Sequence, residues 1–194
     1  EYLYCETLGK SGKEPVLVAR RVSEERFAGG SLAVANHVSS FSDSVGVLTF
    51  LGGRDSLEAF ITERLDPKID KMFLYMDEAS PTIVKTRVVE VYPFQKLFEL
   101  YLMDDDGVRS AQEAALCEKL SEILPQFDVV IVVDYGHGML GQDAVDTLCA
   151  GAKFLAINTQ VNAGNRGFNT VSKYGRADFI CLSENELRLD ARNR

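Results

Sequence analysis

Val129-Val130-Ile131-Val132-Val133 runs unbroken into Asp134-Tyr135-Gly136-His137-Gly138-Met139-Leu140-Gly141. A β-branched aliphatic run with no period-two alternation is the pattern of a strand covered on both faces in a parallel sheet. The glycines after it make a loop at the carboxyl end of that strand. Outward from this point the chain alternates. Ala111 to Leu124 carries Ala115, Leu116, Leu120, Ile123 and Leu124 as an inner helical stripe. A helix over Asp143 to Ala150 and strands at Phe154 to Ile157 and Phe179 to Leu182 follow. On the N-terminal side, a strand at Glu14 to Arg21 leads to a helix over Ser31 to Phe41, a strand at Val45 to Leu51 and a helix over Ser56 to Leu65. Strands then cluster at Met72 to Met76, Thr82 to Tyr92 and Leu97 to Met103. This alternation predicts an α/β fold built on a doubly wound, mostly parallel sheet.

A length of 194 residues suits one domain, and 46% hydrophobic with 26% charged residues is an ordinary globular composition. A formal net charge of −8 argues against nucleic acid or an anionic membrane as the main partner, while leaving room for a local cationic pocket. No apolar run reaches the length of a membrane span. Cys5, Cys117, Cys149 and Cys181 form no C-x-x-C pair and read as buried free thiols of a reducing cytoplasm. His37 and His137 have no partner at metal-ligand spacing.

Three segments carry the chemistry. In Ala28-Gly29-Gly30-Ser31-Leu32-Ala33-Val34-Ala35-Asn36, a glycine pair opens a small-residue helix. Glycines let backbone approach a ligand, helix N–H groups meet oxygens, and Asn36 offers an amide; close packing of the helix on a sheet explains the same residues. In Ser80-Pro81-Thr82-Ile83-Val84-Lys85-Thr86-Arg87, strand geometry puts Lys85 and Arg87 on one face about 6–7 Å apart. Two cations at that spacing suit a phosphate or carboxylate, or a solvated strand face. Third, Gly136 to Gly141 spells G-x-G-x-x-G but is not a dinucleotide fingerprint: Gly141 falls before the helix, and the next strand ends in Asn158, not an acid. Asp134 there is a candidate hydroxyl or metal-linked contact, or a turn former. The amide-dense Asn158-Thr159-Gln160-Val161-Asn162-Ala163-Gly164-Asn165-Arg166-Gly167 can bind a ligand or satisfy its own backbone.

Together these segments resemble the ribokinase-like (phosphofructokinase B-type) carbohydrate kinases. The glycine pair with Asn36, and Val45 to Gly52 followed by Asp55, look like that family's first signature. Pro81 to Arg87 and Asp134 to Gly138 look closest to the heptose-7-phosphate kinases of bacterial ADP-heptose synthesis. The Asn158 to Gly167 loop and Ser183-Glu184-Asn185-Glu186 look like a subgroup fused to a nucleotidyltransferase-like domain.

The resemblance implies an ATP- and Mg²⁺-dependent kinase. Residues 1–194 would form a single partial kinase domain with a small β lid drawn from 14–21 and 72–103. Gly29, Gly30 and Asn36 would hold sugar hydroxyls. Lys85 and Arg87 would meet the substrate's phosphate or those of ATP, and Asp134 would contact substrate. Asn158 and Glu186 would lie on the cofactor side, with Glu186 organising Mg²⁺ through water. Measured against the family pattern, Ser183 stands where an asparagine is expected, His137 where a lysine is, and Asn158 where an aspartate is. The family's Gly-Ala-Gly-Asp motif, which brings the catalytic aspartate, does not occur in these residues, and neither does its first strand. The expectation is a piece of a kinase that carries mainly the sugar side, binds a sugar phosphate weakly and turns over nothing alone. The alternative is a non-catalytic sugar-phosphate-binding or dimerisation module, with the lid strands as the homodimer interface.

Overall fold

The computed structural model describes residues 1–104 and 106–192 and divides into two compact units, Glu1–Asp104 and Asp105–Arg194. Asp105, Asn193 and Arg194 lie outside the described residues.

The first unit holds two sheets. Strands β1 (Tyr2–Lys10), β2 (Leu17–Glu25), β5 (Val84–Glu90) and β6 (Gln95–Leu102) form a four-stranded sheet in the order β2-β1-β5-β6. Within it β1 runs parallel to β5, while the β1–β2 and β5–β6 pairs are antiparallel. The other sheet pairs β3 (Val45–Leu51) in parallel with β4 (Ile69–Tyr75). The Met72 to Met76 strand is therefore a partner of β3, not of the four-stranded sheet. β1 itself was no part of the expected element order; it pairs along its length with β2, and over Tyr2–Cys5 also with β5 far along the chain.

Helices α1 (Ser31–Ser39) and α2 (Glu58–Arg64) bring Ala35 and Ile61 into one core with Val47, Leu51, Leu65 and Ile69. Ala35 lets α1 approach its strand closely, and α1 packs on β3 and β4. The glycines after β3 have a packing reason. A Cβ on Gly52 would lie 2.1 Å from the Thr82 nitrogen, and one on Gly53 would lie 2.3 Å from the Asp77 carbonyl oxygen. Gly52 N–H donates to Thr82 Oγ1 at 2.8 Å, and the Thr82 hydroxyl donates to the Ser56 carbonyl at 2.7 Å. The two segments are thereby sewn together.

The second unit is a parallel sheet, β7 (Val130–Asp134), β8 (Leu155–Thr159) and β9 (Phe179–Ile180), with helices α3 (Ser110–Ile123), α4 (Gln142–Gly151) and α5 (Glu184–Asp190). Leu116, Leu120, Ile123 and Leu124 are buried as the stripe predicts, whereas Ala115 is exposed. Ala144, Val145 and Leu148 of α4 and Val132, Leu155 and Ile157 of the sheet are buried as well. The expectation of a strand covered on both faces needs correction. Ile131 is 47% and Phe179 57% exposed, and both stand with Ala156 on the opposite face of the sheet from Val132 and Ile157. The burial of all four cysteines is corrected too: Cys5 is buried, Cys117 and Cys149 are half-buried and Cys181 is exposed. Among the described residues no helix is long and apolar enough to cross a membrane.

Candidate functional site

The register of the four-stranded sheet explains its charged face. Lys85 pairs across from Tyr101, and Arg87 sits between Glu99 on β6 and Tyr2 on β1. Arg87 Nε lies 2.9 Å from Glu99 Oε1, and its guanidinium stands 5.5 Å from the centre of the Tyr2 ring. The Tyr101 hydroxyl donates to Glu99 Oε2 at 2.9 Å, holding that carboxylate below its ordinary pKa together with the Arg87 charge. The Lys85 ammonium stands 4.7 Å from the centre of the Tyr101 ring. Burial lowers its pKa from the usual lysine range, partly opposed by the Glu99 charge. No ion pair to Lys85 occurs among the described residues, so of the two cations Arg87 is neutralised in place and Lys85 is not.

Gly30 caps α1 at φ 58°, a left-handed conformation that favours glycine, and no side chain caps the helix. A Cβ on Gly29 would meet nothing within 4 Å. Internal packing therefore demands glycine at 52 and 53 but not at 29. Asn36 has a clear structural employment: Nδ2 donates to the Arg64 carbonyl at 2.9 Å, and Oδ1 accepts from Asp66 N–H at 2.8 Å. It bolts α1 to the end of α2.

In the second unit Asp134 is 6% exposed at the carboxyl end of β7. A carboxylate at that depth needs partners. Oδ1 accepts from Gly136 N–H at 2.9 Å and from Asn169 Nδ2 at 3.2 Å; Oδ2 accepts from the Tyr174 hydroxyl at 2.8 Å and pairs with the Lys173 ammonium. Burial, reinforced by the Asp134 charge, pushes the Tyr174 hydroxyl far above its usual pKa. Lys173, Tyr174 and Asn169 escaped sequence reasoning. Their signal is the acid itself, because an aspartate ending so apolar a strand needs a cation and donors from elsewhere.

The glycine loop leads to α4 with Gly141 as its N-cap. A Cβ there would lie 2.1 Å from Glu113 Oε1, so glycine at 141 leaves room for a carboxylate of α3 beside the start of α4. Asn158 Nδ2 donates to the Cys181 carbonyl at 2.7 Å, tying β8 to the end of β9. Glu186 forms a capping box at the start of α5: Oε2 accepts from Ser183 N–H at 2.8 Å, and Ser183 Oγ accepts from Glu186 N–H at 3.3 Å. Its Oε1 accepts from Val161 N–H at 3.2 Å. Among the described residues no three His, Cys, Asp or Glu side chains gather as a metal cage. Gly29, Gly30, Asn36, Lys85 and Arg87 thus lie in the first unit, and Asp134, Asn158 and Glu186 in the second.

No family model matches the chain. The bifunctional protein HldE of Syntrophotalea carbinolica is 29% identical over 188 residues, which is 96% of this chain and 37% of that protein. HldE of Koribacter versatilis is 26% identical over 195 residues, 99% of this chain and 38% of its own length. Among solved structures, phosphofructokinase-2 from Escherichia coli in complex with fructose-6-phosphate superposes with a TM-score of 0.62 at 12% identity. That match covers all of this chain and 62% of the other. A carbohydrate kinase from Agrobacterium tumefaciens gives 0.59 at 16% identity, covering 97% of this chain and 59% of the other.

The fold is that of the ribokinase-like carbohydrate kinases.

The sequence likeness runs to HldE and the structural likeness to these phosphofructokinase B-type kinases. This ribokinase-like chain spans about 37% of the length of the first HldE relative.

Proposed function

We propose that the chain is part of an ATP-dependent kinase that transfers the γ-phosphoryl group to a hydroxyl of a sugar phosphate, of the heptose 7-phosphate type. Gly29, Gly30, Asn36, Lys85 and Arg87 serve the sugar phosphate. Asp134 serves the substrate through the turn it holds, and Asn158 and Glu186 serve ATP and Mg²⁺. The observation that carries this reading is the Lys85 ammonium, half-buried on a tyrosine ring and without an ion pair among the described residues beside a neutralised Arg87. An unneutralised, partly desolvated cation is suited to a phosphate. The glycine at 29, which packing does not require, supports close approach of a ligand there.

Glu186 is the carboxylate we assign to Mg²⁺, acting through water because both its oxygens already accept backbone N–H groups. A bound Mg²⁺ would supply charge neutralisation for the phosphates. No residue of this chain is assigned as the base that accepts the hydroxyl proton.

The word bifunctional in the relatives' name supports a fusion partner, which we take to be a nucleotidyltransferase domain; the setting we assign is cytoplasmic. The exposed apolar residues of β6 support a homodimer through the four-stranded sheet. Calorimetry with heptose 7-phosphate, the unphosphorylated heptose and ATP tests the reading, beside a coupled ADP-release assay. Binding of the phosphorylated sugar that weakens about 10- to 100-fold in Lys85→Met is expected. Equal affinity for the phosphorylated and free sugars would refute it.

A further inference from the structure

The loop after β8 commits three asparagine side chains to the backbone of the turn after β7. Asn162 Nδ2 donates to the Tyr135 carbonyl at 2.9 Å. Asn165 Nδ2 donates to the Tyr135 and Gly136 carbonyls at 3.1 and 2.9 Å. Asn169 Nδ2 donates to the Asp134 carbonyl at 3.1 Å and to the Gln160 carbonyl at 3.2 Å. The carbonyls of three consecutive residues are thus gripped by side-chain amides.

The amides are themselves fixed. Asn162 Oδ1 accepts from the N–H groups of Gly164 and Asn165, and Asn165 Oδ1 accepts from Asn162 N–H at 2.8 Å. Asn169 is 6% exposed, and its Oδ1 accepts from the Lys173 ammonium at 2.9 Å.

The gripped turn is one that would otherwise wander. Gly136 and Gly138 both have left-handed backbone, φ +67° and +81°. A Cβ on Gly136 would lie 1.9 Å from Asn165 Nδ2, and one on Gly138 would lie 2.6 Å from Gly107 Cα. On that second side Val108 N–H donates to the Gly138 carbonyl at 3.1 Å. Two glycines free to sample both signs of φ are held in one conformation at the carboxyl end of a parallel strand, where open α/β sheets receive ligands.

We propose that Asn162, Asn165 and Asn169 are positioning residues that hold the Asp134–Gly138 turn in its ligand-receiving conformation without touching the ligand. The proposal rests on the kinase reading only for the ligand's identity. The clamp is a matter of amide donors and carbonyl acceptors on the turn, so it is separately measurable.

The test uses the whole 194-residue chain carrying Asn165→Asp, which keeps the shape of the side chain but loses both donated hydrogens. Asn162→Ala, which removes a single donor contact to the turn, is the milder second variant. Amide hydrogen exchange at residues 135–138 is expected to speed up at least roughly tenfold in Asn165→Asp and less in Asn162→Ala, with Val89 and Leu51 unchanged. Affinity for heptose 7-phosphate or ATP by calorimetry is expected to fall about tenfold at an unchanged melting temperature. Exchange at the turn that stays at the wild-type rate, or rises equally at Val89, overturns the clamp. A loosened turn with undiminished affinity overturns the positioning role. A wild-type chain that binds neither ligand overturns the kinase reading instead, and the exchange measurement still decides the clamp.

Discussion

At the scale of single residues, Lys85 and Arg87 look equivalent in the sequence and are not so in the fold. Arg87 pairs with Glu99 and stacks on Tyr2, while Lys85 stands on the Tyr101 ring with no ion pair among the described residues. A charge-assisted contact to phosphate contributes about 1.5–3 kcal/mol, so Lys85→Met should weaken sugar-phosphate binding about 10- to 100-fold in calorimetry. Tyr101→Phe keeps the ring under the ammonium and should bind nearly as the wild type, whereas Tyr101→Leu loses a cation–π contact of about 0.5–1 kcal/mol. Because burial lowers the Lys85 pKa, its charge is lost at lower pH than an ordinary lysine's. Phosphate affinity should therefore begin to fall on the alkaline side before a typical lysine titrates, and Lys85→Arg should remove that fall. The glycines make a second contrast. Gly136→Ala forces a side chain into left-handed backbone and against Asn165, and should cost at least about 1–2 kcal/mol in urea unfolding. Gly29→Ala meets open space and should leave stability within about 0.5 kcal/mol. A loss of sugar-phosphate affinity in that stable variant is the expected mark of a ligand-facing glycine; unchanged affinity would remove Gly29 from the site.

At the scale of elements, α5 shows how one carboxylate anchors a short helix. Glu186 closes a capping box with Ser183 and also receives Val161 N–H from the loop after β8. Burial alone would raise its pKa, but the Ser183 and Val161 N–H groups outweigh that and hold it below its ordinary value. The stabilisation is therefore present above the unfolded-state pKa near about 4.3 and is lost as pH falls through the lower folded value. Urea unfolding should show Glu186→Ala costing about 1 kcal/mol at neutral pH and little once the wild-type carboxylate is protonated. Glu186→Gln, which can still cap, should lose less. Element positions were legible because their cause is local. The apolar run at 129–133 gave β7, and helical spacing gave α3 to within a residue at each end. The strand at 2–10 was not among those expected: it pairs along its length with β2, the next strand, and over Tyr2–Cys5 with β5, some eighty residues on, and only that second partner is beyond local reading. The same limit governs the candidate site. The sequence shows that Asn36 has an amide, but not that the backbone at Arg64 and Asp66 takes it up, and it shows an acid at 134 without the Lys173 and Tyr174 that hold it.

At the scale of the whole molecule, the edge strand β6 leaves an apolar stripe in water. Phe98, Leu100 and Leu102 alternate onto one face of β6 and are 51%, 55% and 49% exposed. At the other edge of the sheet β2 is exposed along its length, but its apolar Leu17 and Val18 fall on opposite faces, and Val88 and Cys5 between the edges are buried, so the uncovered apolar stripe is that of β6. A second copy of the same strand would cover that stripe by symmetry. The edges argue for face-to-face association over strand addition: Arg20, Arg21, Glu24 and Glu25 on β2 guard that edge with charge. Sedimentation equilibrium should then find a dimer at roughly micromolar concentration. Leu100→Glu places a charge where the partner's sheet would sit and should give a monomer. Because Leu100 is exposed in the single chain, the same substitution should change the unfolding free energy of the monomer by no more than about 0.5 kcal/mol. A wild-type chain that sediments as a monomer over the whole concentration range would end the dimer reading. A Leu100→Glu chain that still dimerises would move the interface off β6, to β2 or to the uncovered face of β7–β9.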